Sequence, residues 1–290
     1  MRDLRQTGRY AQRMKKLGWE VFEISDNKTQ IFVRSLGLFG AMAKIQRTVC
    51  PLPWGEIFRE LKRKHVWLVK YEPDIVVSDD SSYKNGQLAQ MIGNLNRLGF
   101  KLDKWPMLPT RTLEVSLIPK EPEILSSFRK DARYSIRRGL AGGDIKYKVN
   151  QYEEFYQTWV KGAKIKRLWM PGKKEFIELT QIFGNSCFSL TAHKDNECVA
   201  GVFVLMADKR AYYFYSTTLP QGKQINAPYL LVWEAMKEAK KRGCVIWDFE
   251  GIYDGRFPNN SWLGFSHFKK SFGGKEVTYL GSFTKWTWPF

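Results

Sequence analysis

Two residue periods alternate along this chain, and their exchange limits the folds open to it more than any other feature. In "TRTLEVSL", Leu113, Val115 and Leu117 alternate with polar neighbours, the period of a half-buried strand. A few residues later Pro122 suits a first helical turn, and Leu125, Phe128, Ala132 and Ile136 recur at helical spacing until Gly142 and Gly143 stop the run. The same exchange precedes it. Arg9 to Leu17 reads as a helix, "WEVFEI" and "TQIFVRSL" as strands, "WGEIFRELKRK" as a helix and "VWLVKYEP" as a buried strand stopped by Pro73. "YKNGQLAQMIGNLNRLGF" is then a helix ended by Gly99. It also follows: helices in "YEEFYQTWVKGAKI" and "KKEFIELTQIF", then strands in "CFSLTAHK", "CVAGVFVLMA" and "RAYYFYSTT". "NAPYLLVWEAMKEAKKRG" is a helix with Asn226 placed to cap it and Gly243 to stop it, and "CVIWDF" and "EVTYLGSF" are the last strands. Strands that follow one another directly fit an α+β (mixed α/β) fold with mixed sheets better than a strict βαβ array. At 290 residues two domains are expected, with a boundary near residues 113 to 121.

The formal net charge of +18 draws polyanions: nucleic acid, nucleotide-linked substrates or anionic lipid. Clustering sharpens this. Arg129, Lys130, Arg133, Arg137, Arg138, Lys146 and Lys148 stand against Asp131 and Asp144, and Lys130, Arg133 and Arg137 share the helix face opposite Phe128 and Ala132. A second cluster, Lys161, Lys164, Lys166, Arg167, Lys173 and Lys174, is interleaved with Trp159 and Trp169, which could stack on bases or sugars. Phosphate binding is the functional reading of both clusters; an ordinary solvated helix face is the bland one.

Several chemistries lack support. Cys50, Cys187, Cys198 and Cys244 form no C-x-x-C, and with three histidines there is no metal-ligand pattern. No Walker loop, G-x-S-x-G, H-E-x-x-H or kinase signature occurs. The nearest approaches to the pyrophosphate loop of coenzyme A enzymes, "RQTGRY", "RSLGLF" and "QMIGNL", all miss its final small residue. The charged start lacks a signal's apolar core and no run approaches the ~18–20 residues of a membrane span, so a cytoplasmic setting is expected.

Within "GCVIWDFEGIYDG" lie Asp248, Glu250 and Asp254, acids at the end of an apolar strand in a basic chain. Ligands in open α/β sheets sit beyond the carboxyl ends of strands, so these acids are candidates to face a site. Strand alternation would put Asp248 and Glu250 on one side and Phe249 on the other. The spacing lacks the fixed glycine and distal Glu of a calcium loop, so no metal is expected. The competing reading is that Asp248 or Glu250 pairs with a nearby Lys or Arg, or caps backbone amides.

"WDFEGIYDG", then "GFSHFKKSFGG", then "YLGSF" resemble the Fem family (FemXAB type) of aminoacyltransferases, whose C-terminal region reads Y-D-F-x-G, F-K-x-x-F-G and Y-x-G-x-F. "VWLVKYEP", "NLNRLGFK" with "LPTRTLEVSL", "FRKDARYSIRRG", and "AYYFYSTT" with the helix after it are similar to further family segments in the same order. The resemblance implies two tandem GNAT-like (acyl-CoA N-acyltransferase-like) domains without a helical-hairpin arm. Residues 1–113 would form the first, completed by a C-terminal strand over 278–290, and 114–277 the second. It implies transfer of an amino acid from aminoacyl-tRNA to the stem-peptide amine of a peptidoglycan precursor, lipid II or UDP-MurNAc-pentapeptide, building the interpeptide bridge of the cell wall. Aminoacyl-tRNA would be a co-substrate, with no cofactor and no metal, and peripheral contact with the inner membrane face is compatible with a lipid-linked acceptor.

The resemblance places Lys269, in the matched F-K, at the oxyanion or tRNA terminus, and Phe268 beside the substrate or in the core. Lys164, Lys166 or Arg167 would meet precursor phosphate, in a segment where Ile165 competes for the matched position. Tyr213 and Tyr215, on one strand face by alternation, would line the stem-peptide groove, and Asp248 and Glu250 would bind a cationic amine. Lys130, Arg133, Arg137 and Arg138 are left for tRNA phosphates. Two other readings stay open: a coenzyme A-dependent GNAT-type N-acyltransferase, and a non-catalytic RNA-binding protein.

Overall fold

The computed structural model describes residues 1–24, 28–77, 85–143 and 145–287. Tyr83 and Lys84, expected in a helix, and Asp144 of the first basic cluster lie outside the described residues.

In chain order the first elements are α1 (Gly8–Lys16), β1 (Glu20–Ile24), β2 (Thr29–Ser35), β3 (Ala41–Thr48), α2 (Trp54–Arg63), β4 (Val66–Pro73), α3 (Asn85–Arg97) and β5 (Lys101–Leu102). There follow β6 (Arg111–Ser116), α4 (Glu121–Ser127), α5 (Lys130–Gly142), β7 (Lys146–Val149), α6 (Tyr152–Lys166), α7 (Lys173–Phe183), β8 (Cys187–Lys194) and β9 (Glu197–Ala207). The chain ends with β10 (Arg210–Thr218), α8 (Pro220–Gln224), α9 (Ala227–Lys241), β11 (Ile246–Asp248), α10 (Leu263–Lys270), β12 (Lys275–Thr278) and β13 (Phe283–Trp286).

The chain divides into two compact units. One holds Arg2–Thr112, Tyr253–Asn260 and Val277–Phe290; the other holds Leu113–Ile252 and Ser261–Glu276, with Met1. The first has a six-stranded sheet in the order β1-β2-β3-β4-β13-β5, in which β3 and β4 are parallel. Its core gathers Ile31, Val33, Ala43, Ile45, Val69 and Tyr71 from the strands with Ile57 and Leu61 from α2. That pattern is the apolar stripe of an amphipathic helix laid on a sheet face.

A seven-stranded sheet, β12-β6-β11-β10-β9-β8-β7, dominates the other unit. Alternation along β9 shows how it is covered. Ala200, Val202 and Val204 join a cluster with Ile136 of α5 and Leu230, Leu231 and Ala235 of α9. Phe203 points the other way and meets Phe155 of α6 and Phe176 of α7 at ring distances of 6.1 and 5.1 Å. Helices therefore cover both faces of the strands that carry the site.

Local expectations fail at four places in these elements. The run from Glu121 to Gly142 is two helices, not one, because Phe128 and Arg129 are extended, with ψ of 155° and 160°. Arg129 N donates to Ser271 O at 2.8 Å, and Phe128 turns into the core against Trp233 and Phe272. Ala41–Thr48, which pattern reading passed over, is a strand. "EVTYLGSF" is not one final strand: β12 ends at Thr278, Tyr279 makes only an isolated bridge to Val76, Gly281 takes a φ of 121°, and a separate last strand begins at Phe283. Asn226 has a left-handed φ of 56° and makes no side-chain cap.

Candidate active site

The site grows out of a parting of two strands. β10 and β11 run parallel but pair over three residues only, Arg210 to Tyr212 against Ile246 to Asp248. β11 ends there, while β10 continues to Thr218 along β9. The β9 pairing slips between Tyr213, opposite Val204, and Tyr215, opposite Phe203, so Phe214 is bulged. A bulge reverses the face of every residue after it. Tyr213 and Tyr215 therefore lie on opposite faces, contrary to simple alternation. Tyr213 packs on Trp247 and Phe249 at 6.0 and 5.6 Å, whereas Tyr215 stacks on Trp159 at 4.3 Å. Tyr215 thus lies on the other face of the sheet from Tyr213. Burial raises the Tyr213 phenol to about 12, although a hydrogen bond with Ser216 opposes the shift, so it remains a proton donor near neutrality.

Beyond β11 the backbone folds into a tight turn. Phe249 N donates to Leu113 O at 3.0 Å, and Gly251 N donates back to Phe249 O at 2.9 Å around Glu250, whose φ is 68°. A three-residue turn with positive φ at a non-glycine centre is rare and strained. Glu250 is therefore not a strand residue sharing a face with Asp248; the strand has already ended.

Lys269, in the last turn of α10, fastens this turn. Its Nζ donates to Phe249 O at 2.8 Å and to Gly251 O at 2.7 Å, one carbonyl on each side of Glu250. The Phe265 ring lies 4.8 Å from the ammonium and the Tyr213 ring 5.7 Å. Lys269 makes no ion pair among the described residues. Burial pulls its pKa from 10.5 to about 8, against the opposing pull of Glu250 and then Asp248. An ammonium this poorly hydrated, with two of its three donors on backbone, has one direction left for a partner.

The three acids have three separate fates. Asp248 is buried; its Oδ1 accepts Glu250 N at 2.8 Å and its Oδ2 accepts Arg210 Nη1 at 3.1 Å. Arg210 also donates to Glu114. Asp248 is occupied in a buried ion pair, the competing reading of its sequence position. Glu250 is half-buried and stays beside Lys269. Asp254 belongs to the other unit, where it accepts from Thr110 Oγ1 at 2.6 Å and pairs with Arg256 at 2.7 Å. Arg210 and Glu114, which decide the fate of Asp248, drew no notice in the sequence because they stand 38 and 134 residues from it.

Phe268 packs against Tyr229 and Phe272 at 5.0 and 5.3 Å, on the rim of the core. On α5, Lys130, Arg137 and Arg138 are exposed and make no ion pair among the described residues, and Arg133 donates to Ser126 O at 2.8 Å. Lys164, Lys166 and Arg167 are exposed at the end of α6, where Arg167 ends the helix with a φ of 53°. Burial and then Lys223 lower the pKa of Lys166. Of the two tryptophans in that cluster, Trp159 is turned inward on Tyr215 and Phe176, so Trp169 alone is exposed to stack on a ligand. Among the described residues no group of three His, Cys, Asp or Glu is placed to hold a metal, and no helix is long and apolar enough to cross a membrane.

Two sheet-plus-helix units, the second with parallel strands that part beside the half-buried Lys269, have a tandem GNAT-like fold. The model of the FemAB family matches residues 173–290, which hold Tyr213, Glu250 and Lys269. Among solved structures the fold is similar to the crystal structure of FemX, with a TM-score of 0.80, 14% identity, and 98% of this chain and 92% of that chain covered. It is similar also to the C-terminal domain of a lysylphosphatidylglycerol synthetase from Agrobacterium fabrum, with a TM-score of 0.60, 12% identity and 94% and 85% covered. A tandem GNAT protein of clavulanic acid biosynthesis gives a TM-score of 0.52, 10% identity and 90% and 83% covered. A search of curated protein sequences gives no match.

Proposed function

We propose that this protein is an aminoacyltransferase that moves an amino acid from aminoacyl-tRNA to the stem-peptide amine of a peptidoglycan precursor, lipid II or UDP-MurNAc-pentapeptide. The observation that carries the reading is the poorly solvated Lys269 ammonium held at the parting of β10 and β11. The FemAB match over the same residues supports it.

The acceptor's neutral amine attacks the ester carbonyl, forming a C–N bond and placing negative charge on the carbonyl oxygen. The tetrahedral intermediate then breaks its C–O bond to the tRNA ribose, leaving an amide. The proton lost from the amine goes to the ribose oxygen. An ester is already activated, so positioning and oxyanion stabilisation dominate over covalent catalysis. The third donor of Lys269 faces the oxyanion, where low local polarity makes one hydrogen bond count for more than in water. Glu250 attracts the ammonium form of the acceptor, and Tyr213 lines the groove with its hydroxyl protonated. Lys164, Lys166 and Arg167 take the precursor's phosphates, and Lys130, Arg133, Arg137 and Arg138 take those of tRNA.

The test mixes purified protein with a pool of charged tRNAs and each precursor in turn and reads the precursor mass. A gain of one amino-acid residue, lost with Lys269→Ala, is expected. No gain with either precursor refutes the reading. In that event binding of acetyl-coenzyme A by calorimetry distinguishes an acyl-coenzyme A enzyme from an RNA-binding protein, whose tRNA affinity would be indifferent to charging.

A further inference from the structure

The turn between β2 and β3 plays no part in the transfer site. Leu36 N donates to Gly40 O at 2.7 Å, closing a loop over Gly37–Phe39. Gly40 has a φ of 77°, and a Cβ there would lie 2.8 Å from His65 O and 2.9 Å from the Trp67 ring, so glycine is needed for both conformation and space. Trp67 Nε1 donates to Phe39 O and fastens the tip to β4. On this braced turn Leu38 and Phe39 are 104% and 80% exposed. Trp286, 61% exposed, lies against Trp67 with ring centres 5.2 Å apart.

The helix ends that share a cavity with this turn are rich in cations. α1 ends in Lys15 and Lys16, and α2 ends in Lys62 and Arg63 followed by Lys64. Arg34 precedes the turn and lies over the Trp19 ring at 5.7 Å. A cavity of about 320 Å³ lined by Gly18, Ser35, Gly37, Gly40, Lys64 and His65 joins the helix ends to the turn. Against these six Lys and Arg stand Glu20, which pairs with Lys64, and Glu60, which pairs with Arg63 at 2.7 Å.

We infer that this edge of the N-terminal unit docks on an anionic lipid bilayer. Leu38, Phe39 and Trp286 enter the boundary between headgroups and acyl chains, and the neighbouring cations meet lipid phosphates. Apolar side chains with Lys and Arg beside them are the composition of an interfacial anchor. A protein partner fits less well, since a projecting two-residue tip offers little of the roughly 1,000 Å² that a stable protein interface needs. A bilayer accommodates an inserted side chain without a matching pocket. Burial of a Leu or Phe side chain is worth about tenfold or more in partitioning, and each Lys or Arg near an anionic surface about fivefold. Binding is therefore reversible. It involves none of the transfer residues and stands whether or not aminoacyl transfer is found.

The experiment sediments the protein with vesicles of equal parts phosphatidylglycerol and phosphatidylcholine, and with phosphatidylcholine alone. Binding to the first, weakened by added salt, is expected. A Leu38→Ser, Phe39→Ser double variant should bind at least about tenfold more weakly with an unchanged thermal midpoint, because neither side chain is in the core. A Lys16→Glu, Lys62→Glu variant should bind more weakly as well. Failure of the natural protein to bind anionic vesicles overturns the inference, as does undiminished binding by the Leu38, Phe39 double variant. Self-association without lipid that the double variant abolishes would identify a second copy as the occupant, and also overturns it.

Discussion

Replacing Lys269 by Met should leave the fold at least as stable near neutral pH while abolishing aminoacyl transfer. The displacement of the Lys269 pKa from 10.5 to about 8 is equivalent to on the order of 3 kcal/mol by which folding disfavours the charged amine. Methionine has nearly the same length and removes that cost. It also removes the hydrogen bonds to Phe249 O and Gly251 O, each worth about 1 kcal/mol, although Phe249 O keeps the Gly251 N donor. The difference leaves the variant about 1 kcal/mol more stable at pH 7. The sign of the pH dependence follows from the lowered folded-state value. Between about pH 8 and 10.5 the unfolded chain holds a proton on this amine that the folded chain has released, so wild-type stability rises with pH through that window. The advantage of the variant should shrink over the same interval. Urea unfolding of both proteins at intervals from about pH 7 to 10 measures this. A variant less stable by the same margin at every pH would mean that the ammonium is well solvated and serves only to tie the turn.

Glu250→Gly should stabilise the fold by about 1 kcal/mol by relieving the φ of 68°, and should move the Lys269 step below pH 8, because Glu250 is the larger of the two charges holding that value up. Arg210→Met should cost about 3 kcal/mol in urea unfolding, since it leaves Asp248 and Glu114 partly buried without their cation. Gly201→Ala places a Cβ 2.6 Å from the Phe155 ring and should cost about 1–3 kcal/mol, read as a lower thermal midpoint. Binding of tRNA should weaken steeply as salt is raised, and charge reversal at Arg137 and Arg138 should flatten the log–log slope.

Elements with a clean period were legible in the sequence. The α9 helix and the β9 strand follow from their apolar runs and the Gly142–Gly143 stop from its glycines, α9 packing on one face of β9 and α6 with α7 on the other. What escaped was set by partners distant in the chain. Phe128 breaks a helical run to reach Trp233 and Phe272, and nothing within the run itself announces that choice. The bulge at Phe214 separates two tyrosines that alternation puts together, and it is visible only against Val204 and Phe203 on the neighbouring strand. For the site, the matched F-K motif led to Lys269, whereas the acids could not be told apart by spacing. Their roles depend on Arg210 for Asp248, on backbone strain for Glu250, and on Arg256 and Thr110 for Asp254.

The position of β13 has a consequence for synthesis. It pairs with β4 on one side and β5 on the other, Phe283 lying opposite both Tyr71 and Leu102, so the sheet of the N-terminal unit has its gap filled by residues made after the whole of the second unit. A chain leaving the ribosome can close the sheet of the second unit around β8, β9 and β10 well before the first is whole. The usual order of vectorial folding, N-terminal part first, is thereby reversed for the completed state. Until Phe283–Trp286 emerge, β4 waits with an unpaired edge that invites wrong partners, and a ribosome stalled shortly before that point would hold a finished second unit and an open first one.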